Sequence, residues 1–247
     1  WLCEYCILLC YISKYCRIMS GKTIASSFGE QPVVLSPKKQ TPDTCERIVA
    51  FLDIMGFKDM VARHFETIKD KLEKLSSFIG ETMDENYQYM IFSDSIILYA
   101  KSDGMEVFKS LLTKVSKIIE KSISLGLPIK GAIAKGECTV SLSYKPFFFG
   151  QPIIDAYTLE ENVVLYGVVL HNTVEDMALE LSRVNSDFVF DFNVPLKGGN
   201  SNHFVLNWFG QDLEQNRSNL MSIRTTVSDS PRRYIDNTLK CIDVVTK

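Results

Sequence analysis

The sequence lacks several features that mark common functional classes. Its 247 residues carry a net charge of −3 and no sustained basic stripe. This argues against a nucleic-acid surface, which needs an excess of Lys and Arg to displace counterions. No apolar run approaches the ~20 residues that span a bilayer, so we expect no stable membrane insertion. The three histidines, His64, His171 and His203, are too scattered to predict a metal cluster, and we treat them as structural.

Cysteine is concentrated at the start of the chain, where Cys3, Cys6, Cys10 and Cys16 account for four of seven. The other three are widely spaced, which is typical of a reducing cytoplasm and predicts neither a zinc site nor a disulfide framework. We expect the natural start at Met19, with 1–18 a translated upstream segment; the alternative is a short membrane-touching or palmitoylated tail. Residues 19–44 are polar and punctuated by Pro and Gly, and together with 1–18 we predict a flexible N-terminal segment over 1–44.

Hydrophobic patterning predicts an α+β fold. The first half of the chain has the order β-α-β-β-α-β, a ferredoxin-like split βαβ sheet with helices on one face. Its predicted elements are a strand at 47–54, a helix at 56–79, a hairpin at 87–100, a helix at 105–125, strands in 128–141 and 144–150, and a helix at 151–162.

Beyond Asn162 the pattern predicts further strands and helices without a second core. These are a strand at 165–170, a helix at 173–183, strands near 187–192 and 203–209, and helices at 211–224 and 230–245. We therefore predict one domain over 45–210, with a helical extension over 211–247 that packs on it.

Two carboxylates are the main candidates for chemistry. Asp53 interrupts the apolar run "FLDIMGF" (51–57), where an ionised side chain loses hydration unless it is paired, capped or bound to metal. Asp94 lies at the turn of the predicted hairpin, on a strand that neighbours the first in a split βαβ sheet. The two can converge at the sheet edge and hold a divalent cation. The Gly56-Phe57 turn would present backbone N–H groups to a phosphate.

These segments resemble a known family. "FLDIMGF" resembles the "F-x-D-I-x-G-F" strand of class III nucleotidyl cyclases, "IFSDSIILY" their "I-G-D" hairpin, and "IKGAIAKGE" their "R-x-G-I-x-x-G" strand. The resemblance implies that Asp53, Asp94 and the carbonyl of Ile54 hold two metal ions, Mn²⁺ or Mg²⁺. It also implies that Lys197, in "VPLKGG", contacts the triphosphate; the alternative is a solvated loop lysine.

The departures from the family pattern concern the base and ribose contacts. Alignment of "FFFGQPIIDAYTLE" on "D-x-W-G-x-x-V-N-x-A-x-x-R" puts Phe147 at the purine-contacting Asp, Ile154 at the ribose-orienting Asn and Thr158 at the transition-state Arg. Met90 stands where Lys or Glu would specify adenine or guanine. The resulting pocket is bulkier and less polar, which favours a smaller base or no base.

This combination resembles the pyrimidine cyclases of the Pycsar antiphage systems. The resemblance implies conversion of UTP or CTP to the cyclic monophosphate, Mn²⁺ dependence, a cytoplasmic homodimer with shared active sites, and a separate effector protein that reads the product. Tyr157 and Asn162 are candidates to replace the missing Asn and Arg.

Three other interpretations remain open. The chain could be an inactive cyclase homologue that senses nucleotide or serves as a dimeric scaffold, or an adenylate cyclase with atypical base contacts. Asp53 alone could be a turn or helix cap, and Met90 and Phe147 could be ordinary core residues. Tyr157 could pack its ring with the hydroxyl at the rim.

Overall fold

The chain folds around one mixed sheet covered by helices. The computed structural model describes residues 43–141, 147–184, 187–209, 212–227 and 229–245. The predicted N-terminal segment up to residue 42, with its cysteines and Met19, and the start of the predicted strand at 144–150 lie outside these residues. No helix in the described ranges is long and apolar enough to cross a membrane.

The described residues form eight strands and six α-helices. The strands are β1 (Asp43–Ile54), β2 (Tyr87–Phe92), β3 (Ser95–Ala100), β4 (Ile129–Ser141), β5 (Phe147–Gly150), β6 (Gly167–Leu170), β7 (Val189–Leu196) and β8 (Gly199–Leu206). The helices are α1 (Phe57–Thr82), α2 (Met105–Ser124), α3 (Gln151–Asn162), α4 (Glu175–Val184), α5 (Leu213–Thr226) and α6 (Ser230–Val245).

The predicted split βαβ core is confirmed. The sheet order is β2-β3-β1-β4-β6-β8-β7, and β5 pairs with β4. β1 lies between β3 and β4 and is antiparallel to both, whereas β6 is parallel to β4. β1 is central because Ile48 to Leu52 form a continuous apolar run that is buried on both sides.

Helices cover both faces of the sheet, which differs from the predicted one-sided arrangement. Ile48, Ala50 and Leu52 face a large core built with α1, α2, α4, α5 and α6. The alternate residues Val49 and Phe51 face a second cluster, to which α3 contributes Ala156. Since β1 is apolar on both sides, each face needs cover, and α3 covers the second one.

The start of α3 is held close to β4 by small residues. A β-carbon built on Gly150 would lie 2.5 Å from the Glu137 carbonyl oxygen and 2.4 Å from Cys138 Cβ. One built on Gly136 would lie 3.2 Å from the Pro152 ring. Larger residues at the two glycines would therefore push the first turn of α3 away from the sheet.

Several element boundaries differ from the prediction. β1 begins at Asp43, so the last two residues of the predicted flexible segment belong to a strand. β7 and β8 form an antiparallel hairpin whose turn contains only Lys197 and Gly198. The Asn- and Gly-rich stretch before His203 has poor strand propensity, which is why the sequence predicted shorter strands there.

The two last helices pack on the rest of the fold. Leu220 of α5 and Ile235 and Ile242 of α6 are fully buried in the large core. The Thr238 hydroxyl accepts a hydrogen bond from the Tyr166 N–H at 2.7 Å and so ties α6 to the segment before β6.

Candidate active site

Asp53 lies near the end of β1 on the face that α3 covers. Its neighbours across the sheet are Ser95 of β3 and Lys130 of β4. Because strand residues alternate between faces, Asp53 points to the same side as Phe51, and its side chain is half-buried.

Asp94 is brought to the same end of the sheet by the tight turn between β2 and β3. Ser93 takes the left-handed conformation there, with φ of 57°. The Asp94 carbonyl accepts the Ile54 N–H at 2.9 Å, which fixes the turn beside the end of β1. The two carboxylates, 41 positions apart in sequence, are therefore neighbours in the fold.

The electrostatics of this end of the sheet favour a bound cation. Burial, followed by the charges of Glu160 and Asp94, raises the pKa of Asp53 to about 7, and Lys130 opposes the shift. Carboxylate oxygens are the ligands that Mg²⁺ and Mn²⁺ prefer, so the donor set fits such an ion. In the described ranges no three His, Cys, Asp or Glu side chains gather into a metal cluster. The predicted site consists instead of two carboxylates and the Ile54 carbonyl.

The first turn of α1 begins directly after the carboxylate strand. Gly56 has a left-handed φ of 75° and leaves open space where a side chain would be. Its carbonyl accepts the Met60 N–H at 3.1 Å, so the helix starts at Phe57. The unpaired N–H groups of a first helical turn suit a phosphate, and this turn lies three residues from Asp53.

A buried ion pair beside Asp53 was missed from the sequence. Lys130 and Glu160 are only 5% and 3% exposed, and Lys130 Nζ lies 2.9 Å from Glu160 Oε1. Nζ also donates to the backbone carbonyls of Glu160 at 2.9 Å and Glu161 at 3.4 Å. Lys130 therefore holds the last turn of α3 against the carboxylate end of the sheet. A lysine in a buried strand needs a partner. The position of Lys130 within an apolar strand pattern could therefore have predicted an ion pair.

Comparison with known proteins identifies the fold. No family model and no curated protein matches the chain. The catalytic core of a rhodopsin-guanylyl cyclase with converted specificity, in complex with ATPαS, aligns with a TM-score of 0.50 and 13% identity over 67% of this chain and 98% of that one. A bacterial light-regulated adenylyl cyclase aligns with a TM-score of 0.54 and 13% identity over 78% of this chain and 60% of that one. The monomeric guanylyl cyclase domain of RhoGC from the aquatic fungus Blastocladiella emersonii gives a TM-score of 0.50 and 12% identity, over 68% of this chain and 98% of that one.

The chain has the fold of nucleotidyl cyclase catalytic domains. At these identities the likeness establishes the fold, and the activity has to be argued from the site.

Within this cyclase fold, the two predicted base contacts lie apart. Met90 pairs with Ile97, the partner of Phe51, and so lies near the carboxylate end of the sheet, whereas Phe147 lies away from it along β4. Phe147 pairs with Ser141, eleven residues along β4 from Lys130, the partner of Asp53. The Phe147 ring is 38% exposed and lies 5.8 Å from the ring of Phe149, which is 55% exposed. Phe147 and the carboxylates are thus at opposite ends of one strand.

Met90 and Tyr157 both pack on the second cluster. Met90 pairs with Ile97 and is partly buried there. The Tyr157 ring contacts Phe51 edge-on at a centroid distance of 5.5 Å. These contacts agree with a packing role, and a role in catalysis stays a prediction.

Lys197 lies near the end of α3. Its N–H donates to the Asn162 carbonyl at 2.8 Å, and its Nζ lies 3.9 Å from Glu161 Oε1. The Asn162 side chain donates to the Thr158 carbonyl at 2.8 Å. Thr158 and Ile154, at the positions of the missing Arg and Asn, are exposed on α3.

Proposed function

We propose that this chain is a nucleotidyl cyclase that converts UTP or CTP to the 3′,5′-cyclic monophosphate and pyrophosphate. The observation that carries the proposal is the meeting of Asp53 and Asp94 beside the first turn of α1. Burial and the neighbouring charges of Glu160 and Asp94 raise the pKa of Asp53, and a divalent cation bound there would relieve this unfavourable charge. The cyclase fold is a second, independent support.

Each part of this end of the sheet has a role in the reaction. Asp53, Asp94 and the Ile54 carbonyl would hold two Mn²⁺ or Mg²⁺ ions, and the Gly56-Phe57 turn would receive phosphate oxygens. The ribose 3′-oxygen attacks the α-phosphorus, the bond to the bridging oxygen breaks, pyrophosphate leaves, and the hydroxyl proton passes to solvent. When bound, the ions acidify the hydroxyl and neutralise the leaving group.

A pyrimidine is favoured because the side chains at the predicted base contacts are apolar. Met90 and Phe147 offer no hydrogen bonds to the edge of a purine. Smaller bases also fit better beside bulky side chains. ATP is included among the nucleotides to be tested below because one protein of this fold was solved with ATPαS.

A homodimer completes the site. Because Phe147 and the carboxylates lie at opposite ends of β4, a twofold partner would bring its Phe147 to the carboxylates of this chain. Phe147 and Phe149 form an exposed aromatic pair, which a second copy would cover. The cytoplasmic location, the antiphage role and the effector are supported by the sequence resemblance alone.

An inactive scaffold is the second candidate. It is favoured by Ile154 and Thr158, because neither side chain can stabilise charge on a transferred phosphate. The two mutually repelling carboxylates argue against it, since an inactive site gains nothing from them.

Product analysis separates these candidates. The purified chain is incubated with ATP, GTP, CTP or UTP and Mn²⁺, and products are identified by mass. We expect cyclic UMP or cyclic CMP, and no cyclic product from any nucleotide would support the scaffold.

Asp53→Ala or Asp94→Ala should abolish turnover with an unchanged circular dichroism spectrum. Asp191→Ala, which removes an exposed acid from the edge strand β7, is the control.

A further inference from the structure

A polar cleft of about 610 Å³ lies between α3, the turn after β6 and the β7–β8 hairpin. Asp155 and Asn162 line it from one stripe of α3. His171 and His203 line it from the other two elements. The two histidines are 32 positions apart and were treated as structural from the sequence. The hairpin brings them into one cleft, whose volume is typical of a ligand site.

The lining of the cleft favours an anionic ligand. Only Leu159 and Leu196 are apolar, so the cleft lacks the flat apolar walls that a nucleobase prefers. The described residues contain no cluster of three metal-ligating side chains, which argues against a cation. The remaining side chains include one carboxylate, Asp155, and donors on the two histidines, Asn172 and Asn200. Open space at Gly198 and Gly199 lets a ligand reach the backbone.

The hydrogen bonds of His171 fix which of its ring nitrogens is available. The Lys135 N–H donates to Thr173 Oγ1 at 2.9 Å, which leaves that hydroxyl to donate to His171 Nδ1 at 3.1 Å. The Thr173 N–H also donates to Nδ1, at 3.4 Å. Nδ1 is therefore an acceptor, and Nε2 carries the proton of the neutral ring.

The charge of His171 depends on its neighbours in the cleft. Burial lowers its pKa, the positive charge of His203 lowers it further, and the carboxylate of Asp155 opposes both. Asp155 itself accepts a hydrogen bond from Gln151 at 2.8 Å. An anion between the two rings would remove their mutual repulsion and draw protons onto them.

We propose that His171 and His203 bind phosphate oxygens of the nucleoside triphosphate in this cleft. Lys197, in the hairpin turn next to Gly198, adds charge at the rim. The proposal rests on the proposed function, and it assigns to two imidazoles the positive charge that Thr158 cannot supply.

The chain offers a direct test because it contains three histidines in all. Inorganic tripolyphosphate with Mg²⁺ is titrated into the full chain, and the imidazole signals are followed by NMR. We expect the rings of His171 and His203 to shift and take up protons, and the ring of His64, exposed on α1, to stay unchanged. Substitution of each residue by Gln assigns the three signals, and His64→Gln is the matched control.

Affinity measurements give the size of the effect. His171→Gln or His203→Gln should weaken tripolyphosphate binding about 10- to 100-fold, the loss expected for a charge-assisted hydrogen bond. Binding should tighten as the pH falls through the histidine range. An equal affinity in wild type and both variants would overturn the proposal.

The outcomes also separate this proposal from the cyclase activity. Cyclic product together with unmoved His171 and His203 signals at saturating tripolyphosphate would refute the cleft and leave the cyclase. Shifts of these two signals without cyclic product from any nucleotide would support the cleft and refute the cyclase.

Discussion

Replacement of Asp53 by Asn should make the metal-free protein more stable. The Asp53 carboxylate is half-buried and lies near Glu160 and Asp94, which is why its pKa rises from 3.8 to about 7. Above that pH the folded protein must hold an ionised group in an unfavourable place, whereas the unfolded chain ionises it freely. Asn has the same shape without the charge. The carboxylate therefore costs stability in the absence of a cation.

The size of the effect follows from the shift. One pKa unit corresponds to about 1.4 kcal/mol, so the rise gives an upper value of about 4 kcal/mol. Partial exposure and screening reduce this, and we expect about 2 kcal/mol. The sign depends on pH. Below about 3.8 both states are protonated and the cost is absent; it grows between 3.8 and about 7 and is complete above.

Urea unfolding with EDTA, at several pH values between about 4 and 8, measures this cost. Asp53→Asn should unfold at higher urea than wild type at pH 8, and the difference should shrink toward pH 4. Asp191→Asn controls for loss of an exposed acid. Added Mn²⁺ should stabilise wild type and leave Asp53→Asn unchanged. A variant no more stable than wild type at pH 8, or a gain independent of pH, would refute the reasoning.

Three further predictions use the same region. Lys130→Met should cost about 3–5 kcal/mol in urea unfolding because it leaves Glu160 buried and unpaired, and the double variant with Glu160→Met should recover most of the loss. Gly150→Ala should cost about 1–3 kcal/mol and lower the melting temperature, because its β-carbon would meet Cys138 and the strand backbone; an unchanged melting temperature would contradict the close contact. Mn²⁺ affinity, measured by calorimetry, should rise about tenfold per pH unit up to about 7 and then level off, because the metal needs ionised Asp53; a flat profile would contradict this.

The parts of the fold that local pattern controls could be predicted from the sequence. The continuous apolar run of β1 and the polar pair Ser93-Asp94 between two apolar strands gave the carboxylate end of the sheet. The pairing of Lys130 with Glu160 could not be predicted, because the partners are 30 positions apart and nothing local links them.

The elements that depend on long-range packing were harder to predict from the sequence. α3 covers the second face because β1 is apolar on both sides, whereas its own sequence, "QPIIDAYTLEEN", has apolar residues on more than one side. His171 and His203 line the same cleft because β7 and β8 continue through the Asn-rich stretch before His203. The sequence of that stretch predicts a loop instead. The final geometry of that hairpin depends on contacts with α3, such as the bond from Lys197 to Asn162.

The attachment of α3 at both ends has a consequence for substrate entry. Its beginning is set by the Gly150 contact with β4 and its end by Lys130, so it has no loose end that could swing outward. Widening of the space beside α3 then requires bending of the β7–β8 hairpin or, in the proposed homodimer, displacement of one copy against the other. In the proposed homodimer, access of substrate should accordingly be governed by that hairpin and by assembly of the two copies.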